Sequence, residues 1–177
     1  AARLASSLVG VAFDMPYSVA GITERNYSGT GLLIDAARGL IVVDRNTVPA
    51  SVGDVRLTFA GTLEIPGRVV FVHPLHNLAV VQYDPKLIGS TPMRSARLDP
   101  KPLRVGQDVT VVGVAGEGDL KSRATQVATI EPLQLPLTRT MRFRDSNLEG
   151  IRLVNPPDEF DGVLTGSDGA VRAMWSS

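Results

Sequence analysis

Short runs of Val, Ile, Leu and Thr, each cut off by Gly, Pro, Asp or Asn, leave this chain little to build except β-strands. The clearest runs are Leu8 to Phe13, Thr30 to Ile34, Leu40 to Val43, Val55 to Phe59 and Arg68 to Val72. Others follow at Leu78 to Tyr83, Val109 to Val114, Ala124 to Ile130, Gly150 to Val154 and Ala170 to Trp175. Twelve prolines and seventeen glycines punctuate them, and no stretch carries a stripe of period 3.6 long enough for a helix. Many short strands at near-regular spacing predict an all-β sandwich or a pair of barrels. The stretch 85–102 is poor in apolar residues and contains Pro85, Pro92, Pro100 and Pro102. It is the candidate linker inside one domain of residues 1–177, with a first barrel over 1–84 and a second over 103–177.

Composition narrows the partners. Lys plus Arg and Asp plus Glu both number 18, so the net charge is zero, and no basic tract occurs. With few aromatic residues as well, the chain offers neither an electrostatic footprint nor stacking platforms for nucleic acid. No apolar run approaches the roughly 20 residues of a membrane-spanning helix, so no membrane partner is expected. The absence of cysteine excludes disulfides and thiolate zinc sites without identifying a compartment. The amino terminus has none of the marks of a secretory signal. The opening Ala1-Ala2-Arg3 and the end just after Trp175 read as a piece of a longer polypeptide.

Five motifs occur in a telling order. Ser28-Gly29-Thr30-Gly31-Leu32-Leu33-Ile34 enters a strand through small residues, and Leu40 to Val48 ends in Val43-Asp44-Arg45-Asn46-Thr47-Val48. Asn77-Leu78-Ala79-Val80-Val81 follows, then Leu103-Arg104-Val105-Gly106 through Gly113. Last comes Asp158-Glu159-Phe160-Asp161-Gly162-Val163-Leu164, shortly before the turn Asp168-Gly169-Ala170-Val171. Together these resemble the trypsin-like protease domain of the Deg/HtrA family. The resemblance is closest to the degenerate second protease domain of the large members that carry two such domains. It covers nearly the whole chain and implies two six-stranded antiparallel β-barrels. It also implies a noncatalytic domain beside an active protease domain and PDZ domains, with a homo-oligomer and a periplasmic or organellar home among the family's options.

In that family the second, third and last of these motifs carry the catalytic histidine, the aspartate that orients it, and the nucleophilic serine. Here the corresponding residues are Asn46, Asn77 and Phe160. An amide is not basic near neutral pH, so Asn46 cannot take a proton from a nucleophile. Asn77 can accept a hydrogen bond but brings no charge to stabilise an imidazolium. Phe160 has neither a proton to give up nor a lone pair for attacking a carbonyl. A shift of one position puts Asp161 in the slot and restores nothing. Asp158 and Glu159 would also place negative charge where an oxyanion develops. The plain alternative for Phe160 is an apolar residue packing under the barrel junction, in a register off by a few residues. Even then, the chain holds no Asp-Ser-Gly or Ser-Gly-Gly.

Other residues that could carry chemistry are few. His73 and His76, the only histidines, are either a metal pair or displaced base, or simply a polar loop between strands. A metal usually needs a third ligand, and the nearest carboxylate, Asp84, lies beyond the next run, which favours the loop. Ser167 in Thr165-Gly166-Ser167-Asp168-Gly169 lacks the first glycine and the following helix of a nucleophile elbow, which favours a β-turn. The glycine-rich Gly113 to Gly118 lacks the lysine and helix start of a phosphate loop. No cofactor and no metal is expected. The function read from sequence is a protease-like scaffold or a module that binds protein or peptide. The alternatives are a serine endopeptidase acting through another domain of the full-length protein, and an enzyme centred on His73 and His76.

Overall fold

A computed structural model of the chain describes residues 3–17, 24–74, 76–115, 118–132 and 149–176. After a 3₁₀ turn at Ala5–Ser7 come β1 (Leu8–Asp14), β2 (Asn26–Asp35) and β3 (Leu40–Val43). Next are β4 (Asp54–Phe59), β5 (Leu63–Val72) and β6 (Ala79–Gln82). These six close into a barrel in the order β1-β2-β3-β6-β5-β4, with every neighbouring pair antiparallel. Closure leaves the barrel no unpaired edge. Side chains alternate as the pleat demands: Val9, Val11 and Phe13 of β1 point into the barrel interior, where they meet Leu33, Ile41, Val43, Leu57, Phe59 and Val81. Phe59 stacks edge-on against Tyr83, ring centroids 4.8 Å apart.

The second half holds β7 (Asp108–Ala115), β8 (Asp119–Glu131), β9 (Gly150–Leu153), β10 (Gly162–Thr165) and β11 (Val171–Trp175). They form one sheet in the order β11-β10-β7-β8-β9. Five strands rather than the expected six are found among the described residues; residues 133–148, between β8 and β9, lie outside them. All ten runs read from the sequence overlap strands. β5 starts earlier than its run because Pro66 pairs with Arg56 of β4 at a point where β6 has already ended. On the β6 side its missing N–H therefore costs no ladder bond.

The stretch 85–102 carries no strand of the sheets, yet it is not a free tether. A 3₁₀ turn at Pro85–Ile88 opens it, capped by Asp84, whose Oδ1 accepts from the Lys86 N–H at 3.0 Å. Further on, the Asp99 N–H donates to Val171 O at 2.9 Å, and the Val171 N–H donates to Arg97 O at 2.8 Å. Arg172 of β11 pairs with Asp99 at 2.9 Å, and Arg97 pairs with Asp168 at 3.0 Å.

The barrel and the second sheet meet in a core of their own. Leu8 and Leu32, on the outer face of the barrel, pack with Val112, Val163 and Val171 of the second sheet and with Leu4. Beside this apolar seam lies one buried hydroxyl. Thr30 is fully buried; its Oγ1 accepts the Val114 N–H at 2.9 Å and donates to Asp161 O at 2.8 Å. One side chain of β2 thereby fixes β7 and the residue preceding β10. Valine has the same shape without the hydroxyl and leaves Val114 N–H and Asp161 C=O unmet. Thr30→Val is expected to lower the unfolding free energy by about 1–3 kcal/mol in urea titration, with Thr30→Ser losing much less. Equal stability of Thr30→Val and the parent chain contradicts this role.

Candidate functional site

A tight turn after β3 presents Asn46. The Asp44 carboxylate accepts the Thr47 N–H on Oδ1 and the Thr47 hydroxyl on Oδ2, each at 2.9 Å, and Val48 N–H donates to Asp44 O at 3.1 Å. This is a side-chain cap with the usual spacing of three. Its unusual feature is depth, since Asp44 and Arg45 are both buried. The Asn77 side chain reaches the same turn, its Oδ1 accepting the Arg45 N–H at 2.8 Å. Asn46 Nδ2 in turn donates to the hydroxyl of Ser176, just past β11, at 2.7 Å. Asn46 and Asn77 are thus held at one turn; the Asn46 amide ties that turn to the end of the second sheet, and the Asn77 amide braces it within the barrel. Neither amide can take a proton from a nucleophile at neutral pH.

Phe160 is placed differently. Its ring is 9% exposed and packs with Leu103, Val109, Val111, Val127, Leu153 and Leu164 in the interior of the second sheet. Asp158 and Glu159 before it are exposed, and Asp161 after it is half-buried. The backbone leaves this segment through a narrow crossing. A Cβ at Gly113 would overlap Asp161 O, and one at Gly162 would overlap Val112 O, so only glycine fits at either position. The ring therefore enters the sheet interior while its flanking carboxylates stay at the surface.

Burial pushes the Asp44 carboxyl above the usual carboxylate range; the Thr47 hydrogen bonds pull it back, and the negative charge of Asp161 adds to the upward push. Burial likewise lowers the Arg45 guanidinium, whose Nη1 donates to His73 O at 3.0 Å. His73 Nδ1 accepts the His76 N–H at 2.9 Å, and the two rings stack 4.6 Å apart beside Phe71. That bond occupies one of the ring nitrogens a metal or a proton transfer would use. Among the described residues, no group of three or more His, Cys, Asp or Glu is placed to hold a metal. Ser167 is exposed in a turn closed by Gly169 N–H to Gly166 O at 2.9 Å, with Gly169 at φ +73°. Of the loop Gly113 to Gly118, residues 116 and 117 lie outside the described set, and Gly118 packs against Gly61.

Three contributors to the site have no motif that signals their role. Thr30 reads in sequence as one small residue of a strand entry, and only the fold brings its hydroxyl to Val114 and Asp161. The Asp44 to Thr47 spacing was legible as a cap, but its burial was not. Ser176 carries no local signal at all; only the fold brings it to Asn46.

No protein-family model matches the chain. Among curated proteins it is 36% identical over 178 residues to a pro-apoptotic serine protease, nma111, of Aspergillus terreus, covering 99% of this chain and 17% of that protein. It is 35% identical over 176 residues to a PDZ domain-containing protein of Schizosaccharomyces pombe, covering 98% of this chain and 18% of that protein. The chain thus spans less than a fifth of the length of these relatives. Among solved structures, Deg5 matches with a TM-score of 0.69 at 17% identity, over 96% of this chain and 78% of that one. The fold is accordingly the trypsin-like fold of Deg/HtrA proteases.

The carboxyl at Asp44 sets a pH dependence with a definite sign. A group whose folded-state pKa is raised above its unfolded value, near 4, binds its proton more tightly in the folded chain. Its contribution to stability therefore falls as pH rises from about 4 through the folded value, and is constant above it. Asp44→Asn keeps an acceptor for the Thr47 N–H and removes the titration. The stability of the parent chain minus that of Asp44→Asn is expected to decline across this window in urea titrations from pH 3.5 to 7. A difference that is flat or rises with pH contradicts the assignment.

Proposed function

We propose that this chain is a noncatalytic protease-like domain, a pseudoprotease that works as a scaffold or peptide-binding module within a longer Deg/HtrA-type protein. The observation that carries this reading is the placement of Phe160. In the register of the resemblance it occupies the nucleophile slot, and its ring is anchored in the core of the second sheet. Asn46 and Asn77, at the histidine and aspartate positions, spend their amides on Ser176 and on the Arg45 backbone. A triad lacking its members loses about a millionfold in kcat, because nucleophile, base and orienter act as a unit. Three replacements that each make structural contacts fit a domain kept for its shape.

Binding needs none of these groups. β11 ends the second sheet, and among the described residues its outer side is bridged only at Val171, by Leu98. Beside it lies a cavity of about 420 Å³ whose wall includes Asn77, Leu78, Ile151, Leu164, Trp175 and Ser176. An extended peptide added along β11 would gain main-chain hydrogen bonds there and place alternate side chains against this wall. Sister protease and PDZ domains of the same polypeptide are the proposed neighbours, and self-association is a further option.

A second reading concerns the full-length protein, which we propose is a serine endopeptidase through a domain outside these residues. The name of the Aspergillus relative favours it, as does the small share of both relatives' length that this chain matches. Sequencing the flanking regions tests it, since an upstream His, Asp and Gly-Asn-Ser-Gly-Gly set is expected.

For the 177-residue chain itself, incubation with labelled casein is expected to give no hydrolysis above the blank. A fluorophosphonate probe is expected to leave every serine unmodified. Probe on Ser167 or Ser176, or turnover that disappears in His73→Ala or His76→Ala, overturns the noncatalytic reading.

A further inference from the structure

A groove separate from the β11 wall runs along the other side of the seam. A depression of about 460 Å³ is lined by Gly10, Ala12, Ser28, Thr58, Glu64 and Phe160, among others, and includes Glu159 and Asp161. A smaller one of about 220 Å³ adjoins it and shares Gly10, Thr58, Gly61, Val114 and Gly118. Its far end is formed by Ala5, Leu8, Ala60 and Leu120. The two make one continuous trough with unlike ends.

The trough is open because its walls are small. Gly10 sits mid-strand in β1, where a Cβ would meet only Thr58, at 3.4 Å, so no clash demands glycine there. Both edges of β1 are already paired, by β2 and β4, which rules out strand addition on this side. An occupant must be recognised through its side chains. At one end they meet apolar carbons. At the other they meet Glu159 and Asp161, Glu64 lines the larger depression opposite the shared Thr58, and no lysine or arginine stands among the described residues that line either depression. In a chain of zero net charge this is a local field of one sign, aimed at a concave surface.

We infer that this trough binds an extended peptide segment with an aliphatic residue at the Leu8–Leu120 end and lysine or arginine at the Glu159–Asp161 end. The inference rests on the peptide-binding form of the proposed function and gives that function a ligand class. Complementary charge at an exposed rim gives specificity and salt dependence more than affinity. Each exposed pair contributes about 2–5-fold, so three carboxylates facing two cations supply about tenfold or more.

The test is fluorescence anisotropy with fluorescein-labelled Leu-Ala-Ala-Lys-Arg-amide, with Leu-Ala-Ala-Glu-Asp-amide as the acidic counterpart. Saturable binding of the basic peptide is expected, at least tenfold tighter than the acidic one and weakening between 50 and 200 mM salt by about fivefold or more. The exposed-site double variant Glu64→Gln/Glu159→Gln is expected to lose most of that preference. Gly10→Leu, which fills the trough, is expected to lose binding of both peptides while unfolding in urea like the parent. Equal affinity for the two peptides, binding unchanged by Glu64→Gln/Glu159→Gln, or equal competition by spermidine alone overturns the inference. A chain that binds neither peptide but stays inert to fluorophosphonate sinks the trough and leaves the noncatalytic reading standing. Cleavage of the basic peptide sinks that reading instead.

Discussion

The close crossing of β7 and β10 at the seam is the constraint on which the rest of the molecule hangs. Gly113 and Gly162 have no room for a Cβ, and the Thr30 hydroxyl binds Val114 and Asp161 on either side of that crossing. Because the backbone is pinned there, Phe160 has one direction to go, into the sheet interior, and its acidic neighbours have the other. The same pinning leaves Leu32, Val112 and Val163 as a shared apolar layer between the halves. Non-local contact of this kind is what makes a two-sheet protein one cooperative unit. It also means that a site at the seam inherits its geometry from residues far apart in sequence.

That geometry accounts for the form of the candidate site. Asn46 stands on a turn held by the buried Asp44 carboxylate and by Asn77, and it reaches across to Ser176. An amide serves well here: it donates and accepts without carrying a charge that the buried setting would penalise. Asp44 shows what a charge costs in the same place, since burial and Asp161 both oppose its ionisation. In the proposed reading, the residues at the three triad positions hold structure in place: Asn46 fastens barrel to sheet, Asn77 braces the turn that carries Asn46, and Phe160 fills the core of the second sheet. The two concavities flanking the seam are then surfaces a partner can use without any chemistry.

Much of the fold was legible in the sequence, and the reason is local. Period-two alternation over β1, β4 and β7, and turn residues between them, are properties of neighbouring amino acids. β10 was the exception: Gly162–Thr165 is too short and too close to the Asp158 to Asp161 acids to read as a strand, and only its pairing with β7 and β11 defines it. The placement of Asn46 and Asn77 at one turn followed the order of the motifs. The bond from Asn46 to Ser176 spans 130 residues of chain and has no signature in either segment. Burial of Asp44 and Arg45 was equally hidden, because a charged dipeptide after a strand ordinarily marks a solvated turn.

The central claim is that the ring at position 160 belongs to the core and not to an open catalytic loop. The unfolding free energy of Phe160→Ala measures this most directly. Removing a buried phenyl ring from a packed core costs about 3–5 kcal/mol, whereas truncating a side chain on an exposed loop stays within about 0.5 kcal/mol. A loss of about 3 kcal/mol or more, with the urea dependence of the transition unchanged, is the result predicted here. An unfolding midpoint indistinguishable from that of the parent chain would contradict it, and with it the closed site.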